Sequence, residues 1–71
     1  MSMIEARTVR DRSTAHFARR EFADGERLLQ QHRAELPAVV VLECEGNLHF
    51  YRRELREAVR CYEAAIVRNP A

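Results

Sequence analysis

Residues 46–70 read GNLHFYRRELREAVRCYEAAIVRNP, and this stretch decides the fold. It predicts two short helices folded against each other, because the spacing of its apolar residues changes phase at Arg52-Arg53-Glu54. Beyond that point apolar residues recur at intervals of three and four, as on one face of a helix. They are Leu55, Ala58, Val59, Tyr62, Ala65 and Ile66. The last helix is therefore expected over residues 55–68, with Pro70 following it.

The residues upstream predict three more helices. Ser2 and Glu5 have the form of a capping box, so the first helix is expected over residues 3–19. Its apolar face is thin and consists of Ile4, Val9, Ala15 and Phe17. The second helix is expected over residues 21–35, because Pro37 pushes the residue before it out of the helical region. The third is expected over residues 38–52; its Val-rich start favours a strand on propensity, but no second strand is available to pair with it.

Composition limits the classes of protein that fit. The chain has 71 residues, enough for one small domain over residues 1–71, and its formal net charge is +1. All 12 basic residues are arginine, and they are spread along the chain. Because positive and negative charges nearly cancel, nucleic acid or a membrane surface is not the expected partner. A small helix-turn-helix nucleic-acid binder remains a weaker alternative, which a salt-dependent DNA shift would support.

The sequence also predicts a compartment. Residues 1–12 lack the apolar core of a signal peptide, and no apolar run is long enough to cross a bilayer. Cys44 and Cys61 form no CxxC pair and lie on or beside apolar stripes, which favours reduced core thiols. We therefore expect a cytoplasmic protein.

The chain contains an internal repeat with an offset of 33 residues. His16 aligns with His49, Arg19-Arg20-Glu21 aligns with Arg52-Arg53-Glu54, and Pro37 aligns with Pro70. A period in the low thirties with two helices per unit is typical of a helical-hairpin solenoid. The predicted fold is all-α, with four helices arranged as two stacked antiparallel helical hairpins.

The second unit resembles a tetratricopeptide repeat. The residues that carry the resemblance are Gly46, Asn47, Ala58, Tyr62, Ala65 and Pro70. Repeat 1 is expected over about residues 5–37 and repeat 2 over about residues 39–71. The chain departs from the family pattern at three pairs of positions, which are Arg12 and Glu45, His16 and His49, and Arg20 and Arg53. Because Arg12 and Glu45 are opposite in charge, they are predicted to face each other across the first and third helices.

The resemblance implies a concave groove lined by the first helix of each hairpin. Its predicted residues are Arg7, Arg10, Thr14, Phe17, Glu43, Asn47, Phe50 and Tyr51. Such a surface suits a peptide or a partner helix. For Phe17 and Phe50, packing between helices is an equally weighted interpretation. No catalytic constellation, cofactor motif or metal site is predicted, since His16 and His49 have no third ligand beside them.

The last helix supplies a second candidate surface. Two repeats are fewer than a stable array usually needs, and no capping helix is expected after Pro70. The face near Tyr62, Ile66 and Val67 is therefore expected to stay open and to drive association. Our first hypothesis is a non-catalytic protein–protein interaction module that binds a peptide or partner helix through its groove. The alternative is a structural self-assembly unit, a homo-oligomer or subunit of a larger assembly that associates through the last helix.

Overall fold

The computed structural model describes residues 1–68, which form four α-helices. They are Met3–Ala18 (α1), Phe22–His32 (α2), Ala38–Tyr51 (α3) and Leu55–Arg68 (α4), with a 3₁₀ turn at Arg33–Glu35 after α2. Helices α1 and α2 make hairpin 1, and helices α3 and α4 make hairpin 2. Between the hairpins, α3 packs more on α1 than on α2. The predicted all-α fold is confirmed. The predicted role of Pro70 lies outside the described residues.

The helix ends follow local chemistry in the sequence. The Ser2 hydroxyl accepts from the Glu5 amide and the Glu5 carboxylate accepts from the Ser2 amide, both at 3.1 Å, so the predicted capping box is present. Leu36 is extended (φ −80°, ψ 138°) immediately before Pro37, which ends the 3₁₀ turn. Predicted and observed helix boundaries differ by at most three residues, and those of α4 coincide.

Both hairpin turns have the same backbone geometry, although neither contains glycine. Arg20 (φ 65°) and Arg53 (φ 64°) are left-handed. Their amides bond to the carbonyls of Phe17 and Phe50, and the next amides bond to the carbonyls of His16 and His49. This pair of bonds is the Schellman motif, whose left-handed position usually holds glycine. Each turn therefore carries the strain of an arginine in a glycine conformation.

The core lies between hairpin 1 and α3. Its buried residues are Ala6, Val9, Leu29, Leu36, Val40 and Cys44. The apolar face predicted for α1 was partly wrong, because Ile4 is 79% exposed and Ala15 is also exposed. The buried side of α1 is instead Ala6, Val9, Ser13 and Phe17. This side includes small residues because neighbouring helices approach α1 closely. The Ser13 hydroxyl is buried there without a hydrogen-bond partner.

Two glycines make room for aromatic rings. A Cβ on Gly25 would lie 2.3 Å from Phe17 Cε1, and a Cβ on Gly46 would lie 2.6 Å from Tyr62 Cε1. Both distances are far inside van der Waals contact. The rings of Phe17 and Tyr62 therefore pack directly on helical backbone within hairpin 1 and hairpin 2, respectively.

Candidate functional site

Polar side chains link α1 to α3 in steps of one repeat. Arg10 Nη1 donates to Glu43 Oε1 at 3.1 Å, and Asn47 Nδ2 donates to Thr14 Oγ1 at 2.9 Å. Each pair is separated by 33 residues, so equivalent positions of the two hairpins bond to each other. Both contacts are partly buried. The sequence had placed all four residues in one groove, and the structure brings them together as a polar ladder between the two helices.

Tyr62 extends this ladder to α4. Its hydroxyl donates to Asn47 Oδ1 at 2.5 Å, while its ring covers Gly46. Burial raises the pKa of the Tyr62 hydroxyl above its ordinary value. The amide of Asn47 therefore accepts from α4 and donates to α1. The hydrogen-bonding groups at the centre of the predicted groove are therefore satisfied by other residues of the same chain.

The remaining predicted groove residues occupy different environments. Phe17 is fully buried, so packing between helices is the interpretation that holds for it, and it offers no groove surface. Phe50, its equivalent in hairpin 2, is 49% exposed. Its ring meets the half-buried Tyr51 edge to face, with ring centroids 5.2 Å apart. Arg7 is exposed on α1.

The predicted contact between Arg12 and Glu45 is wrong. Arg12 is exposed, and no ion pair joins it to Glu45 within residues 1–68. Glu45 instead accepts from Arg33 Nη2 at 3.2 Å. The physical reason is that α3 contacts both helices of hairpin 1. Glu45, the α3 residue equivalent to Arg12, therefore lies beside the end of α2 and not beside α1.

Each hairpin turn holds a histidine–glutamate contact. His16 Nδ1 lies 2.8 Å from Glu21 Oε1, and His49 Nδ1 lies 2.8 Å from Glu54 Oε1. Beside the first contact, Asp24 brings a third possible metal ligand within 4.8 Å, a grouping that the sequence analysis missed. Asp24 already accepts from Arg27 at 3.2 Å, and Glu21 and Asp24 are exposed. Because the histidine–glutamate contact recurs in hairpin 2, we interpret it as part of the turn.

One face of α2 receives hairpin 2. It consists of Phe22, Glu26, Leu29 and Arg33, spaced as one helical stripe. Glu26 pairs with Arg52 at 3.4 Å, and Arg33 pairs with Glu45 at 3.2 Å. The Arg52 guanidinium also lies 5.3 Å from the centre of the Phe22 ring, and Leu29 belongs to the core. The interface between the hairpins is therefore part apolar and part ionic.

The equivalent face of α4 carries no charged side chain, and three of its four residues are exposed while Tyr62 is half-buried. We call it the open face, and it consists of Leu55, Val59, Tyr62 and Ile66. Leu55 is 58% exposed, Val59 51% and Ile66 64%. At the positions of the charged Glu26 and Arg33 in hairpin 1, hairpin 2 has Val59 and Ile66. Tyr62 and Ile66 also line a shallow concavity with Val39 and Glu43 of α3.

The association face predicted from the sequence is partly corrected by this geometry. Tyr62 and Ile66 lie on the open face, but Val67 does not, because it is about 100° further round the helix. Leu55 and Val59 were missed, since they had been counted with the residues that pack inside. The inward side of α4 is instead formed by Ala58 and Ala65. Comparison with Phe22 and Glu26 in the internal repeat could have identified both as interface residues.

The outer side of α1 has the opposite character. In α3 the residues that dock on hairpin 1 include Val40, Cys44 and Leu48, all buried. Their equivalents in α1 are Arg7, Asp11 and Ala15, all exposed. A polar outer surface is what terminal units of helical arrays carry. The two ends of the stack therefore differ: the α1 end is polar, and the α4 end is apolar.

The two cysteines are free thiols. Cys44 lies in the core, where burial raises the pKa of its thiol to about 11. Burial also raises the pKa of the half-buried Cys61 thiol. Both shifts favour the neutral thiol, so neither cysteine has the electropositive, exposed surroundings of a reactive nucleophile.

Comparisons with protein-family models, with curated proteins and with solved structures find no match. Within residues 1–68, no helix is both long enough and apolar enough to cross a membrane. The chain is thus defined by its own geometry, as a pair of stacked helical hairpins with one polar and one apolar end.

Proposed function

We propose that this protein is a non-catalytic protein–protein interaction module and that the open face of α4 is its main binding surface. The observation that carries the proposal is the difference between equivalent positions in the two hairpins. On the α2 face Leu29 is 3% exposed in the core shared with α3, and Glu26 and Arg33 pair with hairpin 2. On the open face Leu55, Val59 and Ile66 are each more than half exposed. An apolar surface of this kind, at a position built for helix packing, favours association.

The polar ladder supports the same choice of surface. Arg10, Thr14, Glu43 and Asn47 are bonded to one another or to Tyr62, so a ligand in the groove would have to replace bonds that already exist. Replacing satisfied hydrogen bonds yields little net free energy. On the open face, Leu55, Val59 and Ile66 are aliphatic and have no hydrogen bonds for a partner to replace. Two free thiols are typical of a reducing compartment, so the cytoplasm is the proposed location.

A peptide-binding groove, as the tetratricopeptide resemblance implies, is the second candidate function. One observation favours it: Phe50 and Tyr51 line a concavity together with Arg20 and Arg53. Exposed aromatic area beside two guanidinium groups suits a peptide that carries an acidic or aromatic residue. In this case binding would depend on the groove side of α1 and α3 rather than on Val59 and Ile66.

Site-specific photo-crosslinking in cells distinguishes the two surfaces. The photoreactive residue p-benzoylphenylalanine would replace Val59 on the open face, Phe50 in the concavity of the groove or, as control, Arg12 on the outer side of α1. All three side chains are exposed, so the fold should tolerate each change. We expect discrete adducts from position 59 and none from position 12.

The adducts also report which function holds. An adduct from position 59, of any discrete mass, supports the open face as the binding surface. Adducts from position 50 alone would replace this proposal with the peptide groove. Absence of adducts from both positions, with the protein folded and expressed, would contradict an interaction module of either kind.

A further inference from the structure

We infer that the open face binds a second copy of this chain, with the two α4 helices packed antiparallel about a two-fold axis. This inference rests on the proposed function, since it names the occupant of the same surface. It goes further by specifying the orientation and the residue pairs. Three independent features of α4 and α1 carry it.

The first feature is the symmetry of the apolar residues along α4. Leu55 and Ile66 lie equally far from the midpoint between residues 60 and 61, and so do Val59 and Tyr62. A two-fold axis at that midpoint places Leu55 opposite Ile66 of the second copy and Val59 opposite Tyr62. Spacings of four, three and four residues are those of the seam between two packed helices. Every apolar residue of the open face thus meets an apolar partner in this register.

The second feature is the charge beside the seam. Arg56 and Glu63 lie on the same flank of the open face, on the side away from Ala58 and Ala65, and both are exposed. A two-fold axis brings this flank of one helix against the same flank of the other. Arg56 then lies within two residues of the level of Glu63 on the second copy, and the reverse pair forms as well. The charges of this flank therefore complement those of the same flank on the second copy only when the two helices are antiparallel.

The third feature excludes stacking of copies in a row. A head-to-tail array would dock the α1 end of one copy on the open face of the next, as α3 docks on hairpin 1. The α1 end offers Arg7, Asp11 and Ala15 where α3 uses Val40, Cys44 and Leu48. Burying the charges of Arg7 and Asp11 against Leu55 and Ile66 is unfavourable, because nothing on the open face replaces their hydration. Closure about a two-fold axis avoids this contact, because it uses the same surface on both copies.

Charge reversal provides a direct test of the register. Arg56→Glu makes the flank wholly acidic and Glu63→Arg makes it wholly basic, so each variant alone should dimerise about tenfold more weakly than the wild type. An equimolar mixture of the two variants should form a heterodimer with near wild-type affinity, since every flank contact is again between opposite charges. Sedimentation equilibrium or light scattering across a dilution series measures each case. Both residues are exposed, and circular dichroism checks that the variants keep their helices.

Cysteine cross-linking gives a second readout that does not depend on charge. In a Cys61→Ser background, Leu55→Cys and Ile66→Cys proteins are mixed and oxidised. An antiparallel dimer gives a disulfide between the two different variants, and a parallel one gives disulfides within each variant. Each variant carries only one of the two introduced cysteines, so a 55–66 disulfide must join two chains.

The outcomes separate this inference from the proposed function. Rescue in the charge-reversal mixture, together with the 55–66 disulfide, supports the antiparallel dimer. A wild-type chain that stays monomeric at about 1 mM, single variants that associate as strongly as the wild type, or a 55–55 disulfide would each overturn it. If the chain is monomeric but position 59 still crosslinks to a protein of another mass, the second copy is wrong and the interaction surface stands.

Discussion

Thr14 and Asn47 occupy the same position in the two hairpins, and the Asn47 amide donates to the Thr14 hydroxyl at 2.9 Å. The carbonyl oxygen of the same amide accepts from Tyr62 at 2.5 Å. One side chain of α3 therefore holds α1 and α4 at once. The contact between repeats and the contact within hairpin 2 are coupled through a single amide.

This coupling predicts unequal costs for changes along the ladder. Asn47→Ala should lower the free energy of unfolding by about 1–3 kcal/mol, because it leaves two partly buried hydroxyls without their partner. Thr14→Val and Tyr62→Phe should each cost about 0.5–1.5 kcal/mol. Urea denaturation followed by circular dichroism measures all three. In a double-mutant cycle, Asn47→Ala combined with Tyr62→Phe should cost less than the sum of the single changes.

The outer side of α1 offers a control for this cycle. Arg12→Ala changes an exposed side chain on the same helix as Thr14 without touching the ladder, and we expect no more than about 0.5 kcal/mol. If Asn47→Ala cost no more than Arg12→Ala, the ladder would be irrelevant to stability.

The glycines predict a second asymmetry between the hairpins. Alanine is the better helix former by up to about 1 kcal/mol, yet both Gly25→Ala and Gly46→Ala should be destabilising because of the overlap with an aromatic ring. Gly25→Ala should cost more, about 2–3 kcal/mol, since Phe17 is fully buried and has nowhere to move. Gly46→Ala should cost less, because Tyr62 is only half-buried and its ring has solvent on one side. Thermal melts of the two variants compare them directly.

Hairpin 1 shows how the clash at Gly46 should be relieved. At the positions of Gly46 and Tyr62 it has Ser13 and Leu29, both of which are buried. We therefore expect Tyr62→Leu to restore much of the stability lost in Gly46→Ser. Equal destabilisation of Gly46→Ser in both backgrounds would show that the Tyr62 ring is not the cause.

The left-handed arginines predict a stabilising change. Arg53→Gly should raise the free energy of unfolding by about 1 kcal/mol, because glycine adopts φ 64° without the steric cost that other residues carry. Arg53→Ala is the matched control, since it removes the same side chain and keeps the backbone strain. A gain in glycine but not in alanine, measured by chemical denaturation, assigns the effect to the backbone.

The same change is less informative at the other turn. Arg20 lies 5.4 Å from the centre of the Phe22 ring, so Arg20→Gly also removes a cation–π contact worth about 0.5–1 kcal/mol. We expect the net gain there to be close to zero. A larger gain at Arg20 than at Arg53 would contradict this account.

Burial of Cys44 predicts a pH dependence of stability. Its thiol has a raised pKa of about 11 in the folded state, against an ordinary value of 9.0. Above pH 9 the unfolded chain loses this proton first, so stability should be full below about pH 9 and should fall as the pH approaches 11. The midpoint of urea denaturation at about pH 8, 9 and 10 follows the effect.

Two controls isolate the thiol. Cys44→Ala should reduce the loss between pH 9 and 10, whereas Cys61→Ala should change it less, because Cys61 is half exposed. Iodoacetamide at about pH 8 should modify Cys61 at least about tenfold faster than Cys44 in the folded protein, as read by peptide mass mapping. Equal rates would mean that Cys44 is accessible.

The sequence by itself determined the helices, their order and the repeat. The capping box at Ser2, the break at Pro37 and the change of phase at Arg52-Arg53-Glu54 act over a few residues, so they can be read without knowing the packing. The offset of 33 residues placed Arg10, Thr14, Glu43 and Asn47 in one groove, but the contact predicted from it, Arg12 with Glu45, does not form. That Arg10 bonds to Glu43 and Thr14 to Asn47 came from the structure.

Only the tertiary structure decided which side of α4 faces inward. Leu55, Ala58, Val59, Tyr62, Ala65 and Ile66 form one wide apolar band in the sequence, and spacing alone does not divide it. Packing of α4 on α3 buries Ala58 and Ala65, lays the Tyr62 ring on Gly46 and leaves Leu55, Val59 and Ile66 facing outward. The predicted contact of Glu45 with Arg12 was wrong for a related reason. Glu45 pairs with Arg33 because of where α3 crosses hairpin 1. That crossing depends on side-chain packing between segments distant in the chain.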